Sequence, residues 1–151
     1  MQGTGAVVLS GFLNAAKLSS AASGRPLASH RILFLGAGSA GVGVATQLLS
    51  FFKLQGLTEE EARHQIYLAD SQGLIFDSRG PMAEHKKCRP SSVSGHSMFL
   101  MTGDIVDFSR KDYNGLPLTN LTDIIEYVKP TALFGLSTIK VIISIACISI
   151  I

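Results

Sequence analysis

A chain of 151 residues has the length of one ordinary domain, and its 46% apolar content is enough to bury a core. A net charge of +2 gives no electrostatic case for nucleic acid. The two cysteines, Cys88 and Cys147, build neither a disulfide framework nor a zinc cluster, and although His85 lies three residues before Cys88, two further ligands are missing from the pattern.

The first predicted element is a helix over residues 5–18, in which Ala6, Leu9, Leu13 and Ala16 recur at helical spacing and form a stripe that packs on the domain. No Asp or Glu precedes Glu59, and the serines and alanines after Lys17 share the composition of targeting peptides. No basic region leads the apolar stretch, which favours a structural helix. Residues 31–35, Arg-Ile-Leu-Phe-Leu, then read as a buried strand that runs straight into Gly36-Ala37-Gly38-Ser39-Ala40-Gly41. This is G-x-G-x-x-G at a strand-to-helix turn. Gly36 allows the tight turn, Gly38 lets a pyrophosphate approach the backbone, and Gly41 lets helix and strand pack closely. The free N–H groups at the helix N-terminus and the helix dipole favour phosphate there.

A helix continues over residues 42–54 and ends at Gln55-Gly56, with Gly56 suited to follow a helix end. Thr58 and Glu61 form a capping box for a second short helix, Glu59–His64. The strand at 65–69 closes on Asp70, a carboxylate placed to accept hydrogen bonds from an adenosine ribose. It lies farther downstream than the usual ~20 residues because the second helix intervenes. The residues alone also fit a glycine-rich turn in some other α/β protein, with Asp70 a polar strand end. Residues 71–76 follow as a turn with a short extension, and 77–87 as a polar loop. Residues 88–106 show no helical or strand period and read as loop. Thr119 is the expected N-cap of a helix through Val128, with Leu121, Ile124, Ile125 and Val128 on one face. Pro130 ends it, and 131–136 form the next buried strand. The last segment, 141–151, is almost wholly apolar and β-branched; it is too short to cross a bilayer, which needs about 20 residues, and has the composition of an aggregation-prone strand. The alternation predicts an α/β fold: a partial, Rossmann-type, doubly wound parallel sheet, incomplete at its C-terminal side, with strand 31–35 between the other two.

Four blocks in order, residues 1–11 (MQGTGAVVLSG), the turn at 36–43, the stretch through Ile75 that ends ADSQGLI, and YVKPTALFGLST at 127–138, resemble the NAD-binding domain of malic enzymes, with a fungal cast. The resemblance divides the chain into a partial domain at 1–139, with 88–106 an inserted loop, and a non-family apolar tail at 140–151. It implies oxidative decarboxylation of malate to pyruvate and CO2 with NAD or NADP as hydride acceptor and Mn or Mg as Lewis acid. Carried over by motif, Gly36, Gly38, Ser39, Ala40, Gly41 and Asp70 match cofactor-binding positions, and Arg79, beside Ser78, lies where the family discriminates between cofactors. Asp70 and Asp77 repel a 2′-phosphate and lean the choice to NAD, whereas Arg79 is suited to receive that phosphate.

The departures from the family pattern are equally informative. The family's metal carboxylates, its lysine base and its tyrosine acid lie upstream of the matched blocks; Lys17, Tyr67, Tyr113 and Tyr127 do not match them. No catalytic residue and no metal ligand is therefore assigned to this chain, and both 88–106 and 140–151 look like translated intron sequence. The expectation is a fragment truncated at both ends that retains dinucleotide binding and has no malic activity alone. The alternatives are a non-catalytic dinucleotide-binding module that modulates a full-length subunit, and a non-functional product. The family forms homo-oligomers, and the resemblance implies an intracellular protein, mitochondrial or cytoplasmic, with neither nucleic acid nor membrane as partner.

Overall fold

The computed structural model describes residues 2–76, 108–113 and 115–136. In chain order they form helix α1 (Gln2–Ser23), a short 3-10 turn (Leu27–Ser29), strand β1 (Ile32–Leu35), helix α2 (Ser39–Leu54), helix α3 (Glu59–His64), strand β2 (Ile66–Asp70), strand β3 (Gly73–Leu74), helix α4 (Leu121–Val128) and strand β4 (Ala132–Gly135). The sheet order is β3-β2-β1-β4. β1 is central, parallel to both β2 and β4, with Leu35 level with Ala69 on one side and Gly135 on the other. The three strands expected from the sequence are present, in the expected order and direction. Within 71–76, expected as a turn with a short extension, the structure adds a fourth strand: Gly73 and Leu74 turn back antiparallel against Asp70 and Ala69. A two-residue return of this kind leaves no periodic signal in the sequence.

The strand period of two sorts the core into two layers. Ile32 and Phe34 face one side with Ile66 and Leu68, beneath Phe12, Leu48 and Phe52 of α1 and α2. Leu33 and Leu35 face the other side with Tyr67 and Ala69, against Ile124, Ile125 and Val128 of α4. Every residue of β1 is buried because helices cover both faces, so the strand reads as an unbroken apolar run. Full burial of each such side chain contributes about 1.5–3 kcal/mol before conformational entropy is set against it.

Two local expectations are corrected. α1 is longer than 5–18, and its buried stripe is Gly5, Phe12 and Ala16, flanked by half-buried Val8, Leu9 and Leu13, whereas Ala6 is exposed. Gly5 wins the inward position because α1 crosses α2 closely there, and a Cβ at Gly5 would meet the Gln47 side chain. The N-cap of α4 is Asn120, one residue beyond Thr119; its Nδ2 donates to Asp123 at 3.1 Å. The face expected for α4 is the one that packs, and Lys129, before Pro130, leaves the helix in the left-handed region at φ 49°. The polar loop at 77–87, the inserted loop and the apolar tail lie outside the described residues.

Candidate functional site

The carboxyl ends of the three parallel strands meet at β1. The Gly36 N–H donates to the Ala69 carbonyl at 2.8 Å, and the Leu136 N–H donates to the Leu35 carbonyl at 2.9 Å. β1 connects to β2 on one side and has β4 on the other, so the chain runs in opposite directions across the sheet from this point, and the crevice outside the strand ends lies where ligands of open α/β sheets bind.

Two glycines in the turn are required by its geometry. Gly36 has φ 118°, which side chains rarely tolerate. At Gly41 a Cβ would run into the Gly36 carbonyl oxygen, so the first turn of α2 lies directly against the end of β1. Gly38 is different. It is extended at φ −80°, and a Cβ there would meet nothing within 4 Å among the described residues. Its lack of a side chain answers to no neighbour among the described residues and leaves space open to them at the mouth of the turn.

Gly38 is also the N-cap of α2 and supplies no side-chain hydrogen bond; no acid stands in the first turn. The first bond of the helix is Val42 N–H to Gly38 carbonyl at 3.0 Å. The amides of Ser39, Ala40 and Gly41 precede it and have no partner along their own helix. Gly38 is exposed, Ser39 and Ala40 are half-buried, and Gly41 is buried. This is an anion-accepting geometry: backbone donors, the positive end of a dipole and no carboxylate in the first turn of the helix.

Asp70 ends β2 beside the turn and is half-buried. Its Oδ1 accepts the Gln72 N–H at 2.8 Å, and the pairing of Asp70 with Gly73 closes the turn. Gln72 was not singled out in the sequence. An Asp that closes a strand with a glycine three residues later is the signal for such a side-chain-to-backbone turn. The structure thus brings Gly36, Gly38, Ser39, Ala40 and Gly41 into one turn with Asp70 on the adjacent strand. Arg79 and Ser78 lie outside the described residues. Among the described residues no group of three or more His, Cys, Asp or Glu side chains is placed to hold a metal ion. No metal step is assigned to the described residues.

The described part of the molecule closes on a second polar cluster that carries no ligand signal. Arg110, buried, donates from Nε to Asp112 Oδ1 at 2.8 Å and from Nη1 to the His64 carbonyl at 3.2 Å, and its guanidinium lies 4.3 Å over the Tyr67 ring. Tyr113 packs edge-on between Phe76 and Tyr127. Together they pin 108–113 to the β2 side of the sheet.

The family model for the malic enzyme NAD-binding domain matches residues 1–150. The chain belongs to this family. It is 39% identical over 139 residues to an NADP-dependent malic enzyme of Dictyostelium discoideum, covering 92% of this chain and 21% of that protein. It is 37% identical to a malolactic enzyme of Lactiplantibacillus plantarum, over 91% of this chain and 22% of the relative. It is 34% identical to the mitochondrial NAD-dependent malic enzyme of Saccharomyces cerevisiae, over 91% of this chain and 18% of the relative. The chain thus spans about a fifth of the length of these relatives.

Proposed function

We propose that this chain is a nicotinamide-dinucleotide-binding unit whose site is the turn at 36–41 together with Asp70, within a protein that carries out the malic enzyme reaction, the oxidative decarboxylation of malate to pyruvate and CO2. The observation that carries the reading is Gly38: an N-cap without a side-chain hydrogen bond, open around its Cα, at the carboxyl end of the central strand. The amides of Ser39, Ala40 and Gly41 would hold the diphosphate, with the α2 dipole adding to their attraction. Gly36 and Gly41 keep the turn tight, and Asp70 would accept hydrogen bonds from the adenosine ribose. The dinucleotide, when bound, supplies the hydride acceptor.

None of the described residues is assigned as a base, acid or metal ligand, so the unit has no malate turnover by itself. NAD is favoured over NADP, because a carboxylate at the end of β2 repels a 2′-phosphate; Arg79 is the residue that would reverse this preference. A mitochondrial location, one of the two compartments the resemblance implies, fits the name of the Saccharomyces cerevisiae relative. Among the described residues no helix is long and apolar enough to cross a membrane.

Titration calorimetry with NAD and NADP on the 151-residue chain tests the reading. Wild type should bind a dinucleotide saturably, and Gly38→Val should not. Equal affinity in the two proteins would overturn the site. Malate-dependent reduction of the cofactor by the chain with Mn present would overturn the assignment of no catalytic group.

A further inference from the structure

His30 lies at the amino end of β1, the opposite end from the glycine turn, and is 2% exposed. Two other parts of the chain meet on its ring. Thr131, just before β4, places Oγ1 2.9 Å from Nδ1. That hydroxyl is shared, since it also accepts the Arg31 N–H at 3.0 Å and lies 3.1 Å from the Arg31 carbonyl. From α1, Phe12 stands edge-on to the imidazole at 6.0 Å, and the same Phe12 contacts Phe52 of α2 and Phe134 of β4. The other ring nitrogen, Nε2, is buried without a hydrogen-bond partner among the described residues. One imidazole thus sits at the junction of α1, β1 and β4, half satisfied.

The surroundings are hostile to a positive ring. Arg25, which precedes the 3-10 turn, is the charged group that acts on it; Lys17 on α1 is exposed, and Arg31 sends its guanidinium to the Val128 carbonyl at 3.2 Å. From β4 only the Thr131 hydroxyl is offered, and from α1 the Ala16 carbonyl. Among the described residues no carboxylate is one of the groups that act on the ring. Burial first, and the Arg25 guanidinium second, hold the pKa below the usual 6.5; the Ala16 carbonyl opposes them with a smaller effect.

We propose that His30 is a pH-sensitive latch for α1: neutral, it lets α1 close over β1 and β4 through Phe12, and protonated, it favours a state in which α1 lifts and the ring is hydrated. β1 is held by backbone bonds on both sides, whereas α1 is joined to this junction by side-chain packing and the single Ala16 carbonyl, so α1 is the element that yields. Lifting α1 also uncovers Phe52 and Phe134. The lifted state binds the extra proton, so it is favoured as pH falls below about 6.5, by at most about tenfold per pH unit until the docked ring itself titrates.

Hydrogen exchange on the intact 151-residue chain at pH 7.5 and 5.5, corrected for intrinsic rates, tests this. Residues 2–23 should lose several-fold more protection at pH 5.5 than residues 32–35. His30→Gln, which cannot ionise, should remove the difference. Arg25→Ala, an exposed change, raises the docked ring's pKa and should shrink the acid effect; it serves if His30→Gln fails to fold. An NMR titration of the wild-type imidazole should place His30 below 6.5. Equal loss of protection in α1 and β1, an unchanged pH response in His30→Gln or Arg25→Ala, or titration of His30 at or above 6.5 would each overturn the latch.

Discussion

Helices α2 and α3 begin within one short stretch of the chain and solve the same problem in opposite ways. At the start of α3, Thr58 accepts the Glu61 N–H at 3.3 Å and the Glu61 carboxylate accepts the Thr58 N–H at 2.8 Å, a complete capping box, with Glu59, Glu60 and Glu61 in the first turn. At the start of α2 the cap is Gly38, with no side chain and no acid. An N-terminus that is sealed by its own carboxylates stabilises its helix and repels anions. One left open by glycine forgoes only a few tenths of a kcal/mol of capping and leaves its amides available to the proposed dinucleotide. The difference separates a helix that serves stability from one suited to binding, and it is written in the residue types at two caps.

The strongest way to break the comparison is Gly41→Ala. The added Cβ collides with the Gly36 carbonyl, which is backbone and cannot move without disturbing β1. A loss of about 3 kcal/mol, at the upper end of overpacking costs, is expected in urea unfolding with an unchanged m-value, together with loss of dinucleotide binding. Gly38→Asp is next and converts the α2 start toward that of α3. The new carboxylate has open space, caps the helix and leaves thermal stability equal or slightly raised, while calorimetry should show dinucleotide affinity reduced by more than about a hundredfold through like-charge repulsion. If stability fell with affinity, the open space at Gly38 would not be the reason for its glycine.

Thr58→Ala makes the reverse change and should cost about 1 kcal/mol by thermal unfolding with no effect on affinity. The smallest effect is a pH dependence. The hydrogen bond from the Thr58 N–H, then that from its hydroxyl, holds the Glu61 carboxyl below the usual 4.5. A lowered carboxylate pKa means the folded state holds its proton less tightly than the unfolded chain. The contribution is complete above pH 4.5 and fades as pH falls through the lower, folded value. Glu61 is exposed, so the slope is shallow, and Thr58→Ala should flatten it further in acid unfolding curves followed by circular dichroism.

Much of this arrangement was legible because it rests on local rules. The run Ile32 to Leu35 is apolar throughout, and a strand covered on both faces needs that; Thr58 and Glu61 spell their capping box at fixed spacing; Gly56 takes the positive φ expected after a helix end. Asp70 was found from its place at a strand end, although what holds its carboxylate, the Gln72 N–H, depends on a backbone turn. The stripe of α1 was misread by one position because spacing constrains a helical face only to about one residue, and the choice between Ala6 and Gly5 is made by how closely α2 approaches.

By itself, then, the sequence determined the α/β class, the parallel core of three strands, the glycine turn and the acid on the neighbouring strand, because propensity, period and capping act within a few residues of one another. The tertiary structure alone decided which contacts join distant segments. It set β3 antiparallel on the edge of β2, laid Arg110 over Tyr67, and buried His30 between Phe12 and Thr131. Those outcomes depend on the direction in which whole helices and strands approach, and on which polar group loses its water when they meet, and no pattern local to Arg110 or His30 carries that information.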